Sequence, residues 1–193
     1  PYTAAVIPGR PYSTQVDERL NSRNIRTLIH MPMVTVTNAT SEPDYALSED
    51  LSDGEILRRL RKARKDVPKA IGMNNHQGSG GTQSRKLMTE VSDFLHEQKM
   101  FFIDSRTIAA SVAETVARER SVPTNSRDVF LDEVDDPEAI AGELFRLARI
   151  AKDQGEAIGI GHCRPNTLKT LKKYLPALAE AGFDLVPVSK LVR

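Results

Sequence analysis

The sequence contains no tryptophan, a single cysteine, six phenylalanines and four tyrosines. Because Cys163 is the only cysteine, an internal disulfide bond and a cysteine-rich zinc site are both excluded. So few aromatic side chains offer no evident platform on which a long ligand could stack. The ligand of this chain is therefore expected to be short or unusual.

Neither the charge nor the hydropathy of the chain indicates a nucleic acid or a membrane as partner. The 27 lysines and arginines are balanced by 26 acidic residues, whereas a nucleic-acid surface needs concentrated basic charge. The one basic block, 58–65, falls within an amphipathic helix pattern and predicts a solvated helix face. No apolar run approaches the roughly 20 residues of a membrane span, and no signal peptide pattern is visible. The 193 residues fit one globular domain.

Short apolar runs alternate with longer amphipathic stretches along the chain. This alternation is typical of βα units that build a parallel sheet, and it fits a doubly wound sheet or a closed barrel. Ser52 and Glu55 match a capping box at a helix start, and Pro137 suits a first helical turn. The predicted strands are 3–8, 25–31, 70–74, 100–104, 129–131, 156–161 and 183–188. The predicted helices are 13–22, 52–67, 84–98, 108–119, 137–153 and 166–181.

Ionisable residues follow five of the predicted strands, at or just beyond their carboxyl ends. They are His30, His76, Asp104, Asp132 and His162. In parallel α/β folds the carboxyl ends of the strands open onto one face, where ligands bind. Any one of these residues could be a cap or a turn former, but five together favour a functional site on that face.

The residue types at these strand ends suit a hydrolytic metal site. Imidazole nitrogens are good ligands for zinc and similar divalent ions, so His30 and His76 are the natural ligand pair. Asp104, Arg106 and His162 would supply acid–base and positioning groups. His96, in the middle of a helix, is expected to be a surface residue. Further polar groups at the strand ends are predicted to contact substrate: Asn74, Asn75, Ser79, Ser105, Asp132 and Arg164.

Several long motifs resemble those of one family, the divergent polysaccharide deacetylases, which are relatives of the NodB-like carbohydrate esterases. The resemblance covers nearly all of the chain in the same order. Its marks are VIPGRPYS at 6–13, LIHMPM at 28–33, GMNNHQGS at 72–79, FFIDSRT at 101–107, VFLDEVDDPEAI at 129–140 and IGIGHCRPNTLKTL at 158–171.

The resemblance implies a deformed (β/α) barrel of about seven parallel strands, whose first strand lies upstream of this sequence. It also implies a divalent metal, with zinc favoured, that activates water for removal of acetyl groups from amino sugars in glycans. His30 matches the first metal-binding histidine of the relatives and His162 their acid histidine. Val34 stands where the relatives place their second histidine, so His76 is the expected substitute. The family's double-Asp motif, which provides a ligand and the base, belongs to the upstream strand.

Three functions stay open at this point. The first is a metal-dependent hydrolase acting on a carbohydrate, with a periplasmic or cell-envelope location by family habit. The second is a catalytically reduced module that binds a glycan or an envelope protein on the same barrel. The third is another metal hydrolase such as a phosphoesterase, which would be expected to carry more basic residues at the strand ends than Arg106 and Arg164.

Overall fold

A computed structural model describes residues 2–193. The length predicts a single domain, and the chain forms two compact units. The first unit comprises the residues up to Ser126 together with Pro187–Arg193, and the second is Arg127–Val186. Each unit has its own strands and helices.

The first unit is built on a parallel sheet of five strands that lie side by side in chain order. The strands are β1 Ala4–Val6, β2 Thr27–Met33, β3 Gly72–Gln77, β4 Phe101–Asp104 and β5 Thr124–Ser126. The connecting helices are α1 Ser13–Asn21, α2 Asp53–Asp66, α3 Arg85–Glu97 and α4 Ala113–Glu119. A short 3-10 helix, Gly81–Gln83, precedes α3.

Apolar side chains on the central strands and on the inner faces of the helices form the core of this unit. Ile29, Met73 and Phe102 are fully buried on β2, β3 and β4, and Leu60 is fully buried on α2. β2 and β3 are buried along most of their lengths, as expected for strands covered on both faces. The predicted capping box is confirmed, because the Ser52 hydroxyl accepts the backbone N–H of Glu55 at the start of α2.

The second unit consists of two βα pairs. Its strands, β6 Val129–Phe130 and β7 Gly159–Ile160, are parallel partners, and its helices are α5 Pro137–Gln154 and α6 Pro165–Glu180. Asp136 caps α5, and Pro137 occupies its first turn as predicted. The core of the unit is formed by leucines and other apolar residues, among them Val129, Leu131, Leu144, Leu171 and Leu175.

The predicted α/β fold with parallel strands is confirmed, but one predicted strand is wrong and one observed strand was not predicted. Segment 183–188 forms no strand, and a 3-10 helix, Val188–Lys190, begins at its end. Pro187 lacks the N–H that a ladder at this point would need. Conversely, Thr124–Ser126 forms β5 although its residues are polar. Within 2–193, no helix combines the length and the apolar character needed to cross a bilayer.

Candidate functional site

His30 and His76 face each other across neighbouring strands of the first unit. β2 extends to Met33, so His30 lies in the middle of the strand rather than at its end as predicted. The parallel register sets His30 beside Asn74 and places His76 two residues further along β3. The Nε2 atom of His30 lies 3.1 Å from the Nδ1 atom of His76, and the two rings meet edge to face. The predicted ligand pair is therefore brought together.

The outward nitrogen of His30, which faces away from His76, is oriented by a buried chain of hydrogen bonds. Its Nδ1 atom lies 3.0 Å from Oδ1 of Asn74, which is only 3% exposed. The Asn74 amide group donates to the Ser105 hydroxyl at 3.1 Å, and that hydroxyl donates to the backbone carbonyl of Asn75 at 2.9 Å. This chain fixes the amide oxygen of Asn74 toward His30, and the network thus assigns the proton of His30 to Nδ1.

The outward nitrogen of His76 faces a buried carboxylate. Nε2 of His76 lies 3.5 Å from Oε2 of Glu42, whose side chain is 5% exposed. The same carboxylate accepts a hydrogen bond from the Ser41 hydroxyl at 2.8 Å and pairs with the guanidinium of Arg10. A carboxylate at this position favours a proton on Nε2 of His76, which turns the lone pair of Nδ1 toward His30.

The inward nitrogens of the two imidazoles thus face each other, and a bound cation would accept the lone pairs of both. Two nitrogens on one tetrahedral zinc are about 3.3 Å apart, given Zn–N distances of about 2.0–2.1 Å. The observed separation of 3.1 Å is close to that value. Metal-binding histidines also donate their other N–H to a carboxylate or carbonyl oxygen, which Glu42 and Asn74 provide. The donor set of this pair thus fits a divalent metal, although residues 2–193 contain no group of three or more His, Cys, Asp or Glu side chains arranged for one.

Other predicted site residues of this unit hold the ends of β3 and β4. Asp104 accepts the backbone N–H of Arg106 at 2.7 Å and the Ser111 hydroxyl at 2.6 Å. The Asn75 amide bonds the backbone of Ser105 and Gln77 and is 1% exposed. These contacts support positioning roles for Asn75 and Ser105, and the catalytic role of Asp104 and the substrate contacts of both residues stay predictions.

Two backbone conformations at these strand ends are unusual. Gln77 and Arg106 have φ values of 55° and 45°, in the left-handed region that glycine favours. Each follows directly after a residue of the site, His76 or Ser105, so the chain turns sharply there. Strained positions of this kind persist only where the surrounding structure holds them, and they cluster at functional sites. The predicted role of Arg106 is untested.

The glycine-rich turn after His76 is fitted closely to the loop after β2. The backbone N–H groups of Gly80 and Gly81 donate to the carbonyl of Val34, and the Ser79 hydroxyl accepts the N–H of Val36 at 3.2 Å. A Cβ atom on Gly80 would lie 2.4 Å from the carbonyl oxygen of Thr35. Ser79 thus joins two loops, and its predicted contact with substrate has no direct support in these bonds.

The second unit carries an aspartate–histidine pair just beyond its two strands. Oδ1 of Asp132 lies 3.1 Å from Nδ1 of His162, and Oδ2 accepts the backbone N–H of His162 at 2.8 Å. The Thr167 hydroxyl donates to Oδ2 at 2.7 Å. Asp132 is fully buried, whereas half of the His162 side chain is exposed. The carboxylate fixes the proton on Nδ1, so that Nε2 of His162 can exchange a proton with a ligand.

The charge of Asp132 is stabilised by its surroundings. Burial alone would raise the pKa of this carboxyl, but the bonds from Thr167 and from the backbone and ring of His162 outweigh burial and lower its pKa. The guanidinium of Arg164 is bound to the carbonyl oxygen of Asp132 at 2.8 Å. These contacts make Asp132 a residue that positions His162. The predicted substrate contacts of Asp132 and Arg164 stay untested.

Sequence reasoning missed Glu42, Arg10 and Thr167. Glu42 lies in the loop between β2 and α2, where no periodic pattern marks buried residues. Arg10 lies within the VIPGRPYS motif, and Thr167 follows Pro165 in the motif that contains His162. A motif of that length was the one available signal for Arg10 and Thr167.

The chain is similar to several known proteins. A protein of Haemophilus influenzae named as uncharacterized is 38% identical over 191 residues, which are 99% of this chain and 68% of that protein. The Escherichia coli K12 protein named "Uncharacterized protein YibQ" is 32% identical over 190 residues, and the chain spans 59% of its length. The crystal structure of uncharacterized protein ATU2773 from Agrobacterium tumefaciens matches 99% of this chain and 88% of that chain, with a TM-score of 0.87 at 19% identity. That likeness supports the α/β fold.

The sequence profile of one family covers almost the whole chain. It is the profile of the family described as "Divergent polysaccharide deacetylase", and it matches residues 1–192. The prediction made from the motifs is confirmed: the chain belongs to the divergent polysaccharide deacetylase family.

Proposed function

We propose that this chain is the hydrolase domain of a metal-dependent deacetylase, which removes an acyl group, acetyl above all, from an amino sugar or a short glycan. One observation carries the proposal: His30 and His76 oppose their inward nitrogens at 3.1 Å while the outward nitrogens face an amide oxygen and a carboxylate. The membership of the family supports a carbohydrate substrate. The low aromatic content favours a short one.

His30 and His76 would hold the metal through Nε2 and Nδ1 respectively. Zinc is among the divalent ions that imidazole ligands suit. When bound, it would supply a Lewis acid that polarises a carbonyl and lowers the pKa of water. The side chains of Asn74 and Ser105 keep His30 in the tautomer that this role requires. The remaining ligand and the base are proposed to be carboxylates, as the family resemblance implies.

His162 would move the proton of the reaction. Its Nδ1 atom is held by Asp132, and the side chain is half-exposed, so the Nε2 atom can deliver a proton to the leaving amine. The carboxylate would hold the ring in one orientation while Nε2 takes up and delivers the proton. Arg106 is proposed to bind charge that develops on the acyl oxygen. Closure of the strands into the family's deformed barrel and a periplasmic or cell-envelope location belong to the same proposal.

The experiment is release of acetate from N-acetylated chitooligosaccharides by the purified protein loaded with zinc. His162→Ala is expected to lower the rate roughly 10²–10⁴-fold, the usual contribution of general acid–base catalysis. His96→Ala is the matched control, since His96 lies exposed on α3 and should leave the rate unchanged. Hydrolysis of 4-nitrophenyl phosphate without acetate release would contradict the proposal in favour of a phosphoesterase. Binding of the oligosaccharide without turnover would contradict it in favour of a binding module.

A further inference from the structure

We infer that Glu42 is a positioning residue of the histidine pair, and that it selects the tautomer in which His76 turns Nδ1 toward His30. The consequence for metal binding rests on the proposed function, whereas the contact between Glu42 and His76 does not. Glu42 lies outside every motif that marks the family resemblance, in the loop between β2 and α2.

The burial of Glu42 demands an explanation. Removing an ionised carboxylate from water is unfavourable unless charges or hydrogen bonds compensate for the lost hydration. The Glu42 side chain is 5% exposed, and its partners are the Arg10 guanidinium, the Ser41 hydroxyl and Nε2 of His76. Arg10 binds Oε1, whereas Ser41 and His76 share Oε2. One carboxylate oxygen is thus directed at the imidazole.

The loop that carries Glu42 is held in place from two sides. The Tyr45 hydroxyl and the backbone N–H of Gly9 both donate to Oδ2 of Asp66, at 2.6 and 2.9 Å. Asp66 is the last residue of α2, so it joins the loop before that helix to the segment that carries Arg10. Gly9 has a φ of +78°, and a Cβ atom there would lie 2.2 Å from the Tyr45 ring. This packing fixes where Arg10 and Glu42 meet.

Glu42 controls which nitrogen of His76 carries the proton. With the carboxylate present, a proton on Nε2 is attracted to Oε2, and the lone pair of Nδ1 faces His30. Without it, a neutral His76 gains more by donating from Nδ1 to Nε2 of His30, because the network assigns the proton of His30 to Nδ1. In that second tautomer the inward lone pair of His76 is lost to a metal. Outer partners of this kind typically change metal affinity about 10–100-fold.

The test combines a spectroscopic measurement with metal affinity. Long-range proton–nitrogen NMR spectra of the metal-free protein report which ring nitrogen of His76 is protonated. The native chain is expected to carry the proton on Nε2, and Glu42→Ala should move it to Nδ1. Zinc affinity, measured by competition with a chromophoric chelator, should fall about 10–100-fold in Glu42→Ala. Glu42→Gln should lose less affinity, because its carbonyl oxygen can still accept from Nε2.

Controls separate this inference from a purely structural role and from the proposed function. Glu55→Ala removes another carboxylate paired with arginines and should leave both the His76 signals and the zinc affinity unchanged. An unchanged tautomer in folded Glu42→Ala, or a native proton on Nδ1, would overturn the inference even if zinc binds. A native chain with the Nε2 tautomer that fails to bind zinc would contradict the proposed function and leave the role of Glu42 intact.

Discussion

Replacing Asp132 with asparagine tests the aspartate–histidine pair of the second unit, Asp132 and His162. The carboxylate accepts three hydrogen bonds, from Thr167 and from the backbone and ring of His162. An asparagine that keeps its oxygen at the Oδ2 position retains the first two bonds but turns its amide group toward Nδ1 of His162. The proton of the imidazole must then move to Nε2, so Nε2 of His162 becomes a hydrogen-bond donor instead of an acceptor.

The cost in stability follows from the lost charge. Hydrogen bonds to a charged group contribute about 1.5–3 kcal/mol, so Asp132→Asn should lower the free energy of unfolding by about that amount. For a chain of this size the melting temperature should fall by roughly 3–12 °C, at about 2–4 °C per kcal/mol. Asp128→Asn is the matched control, because this exposed carboxylate of the same unit accepts the backbone N–H of Ile158 instead of bonding His162.

The dependence of the unfolding free energy on pH tests whether the charge of Asp132 causes the loss of stability. The folded-state pKa of Asp132 is lowered, so its contribution to stability is fully present above the ordinary pKa of about 3.9 and is lost as the pH falls through the folded-state pKa. The difference in unfolding free energy between the native chain and Asp132→Asn should therefore shrink below about pH 4, as measured by urea titrations. A difference that stays constant from neutral to acidic pH would refute the reasoning, since the charge would then not be its source.

Two further substitutions test the surroundings of the histidine pair. Ser105→Ala removes the hydroxyl that orients the Asn74 amide, so zinc affinity measured by chelator competition should fall roughly 10-fold; unchanged affinity would show that the amide needs no support. Gly80→Ala places a Cβ atom 2.4 Å from a backbone oxygen and should cost about 1–3 kcal/mol in thermal unfolding. Gly142→Ala is its control, because the space there is open and the helix should gain about 0.5–1 kcal/mol. Equal stability of the two alanine variants would contradict the close fit of the turn.

The parallel α/β arrangement could be predicted because its causes are local. Apolar runs and amphipathic stretches alternate at strand and helix lengths, and Ser52 and Pro137 mark helix starts with their own side-chain chemistry. β5 could not be predicted in the same way. Thr124–Ser126 is polar, and pairing with β4 rather than intrinsic preference makes it a strand.

The site could be predicted in part for the same reason. His30 and His76 follow from strand register, because residues on adjacent parallel strands come together without further information. Glu42 and His76 are separated in sequence by the whole of α2, and their contact depends on the conformation of an irregular loop. No sequence pattern predicts that conformation. The aspartate–histidine pair of Asp132 and His162 could be predicted in part. The strand-end pattern predicts both as site residues, but their direct bond follows only from the pairing of β6 with β7.

Metal content of the purified protein tests the central claim most directly. Elemental analysis after exposure to zinc and gel filtration should find stoichiometric metal in the native chain and in His96→Ala. His30→Ala and His76→Ala should each lose it, because each removes one of the two opposed nitrogens. Metal retained by both variants, or absent from the native chain, would contradict the assignment of this pair as the metal site.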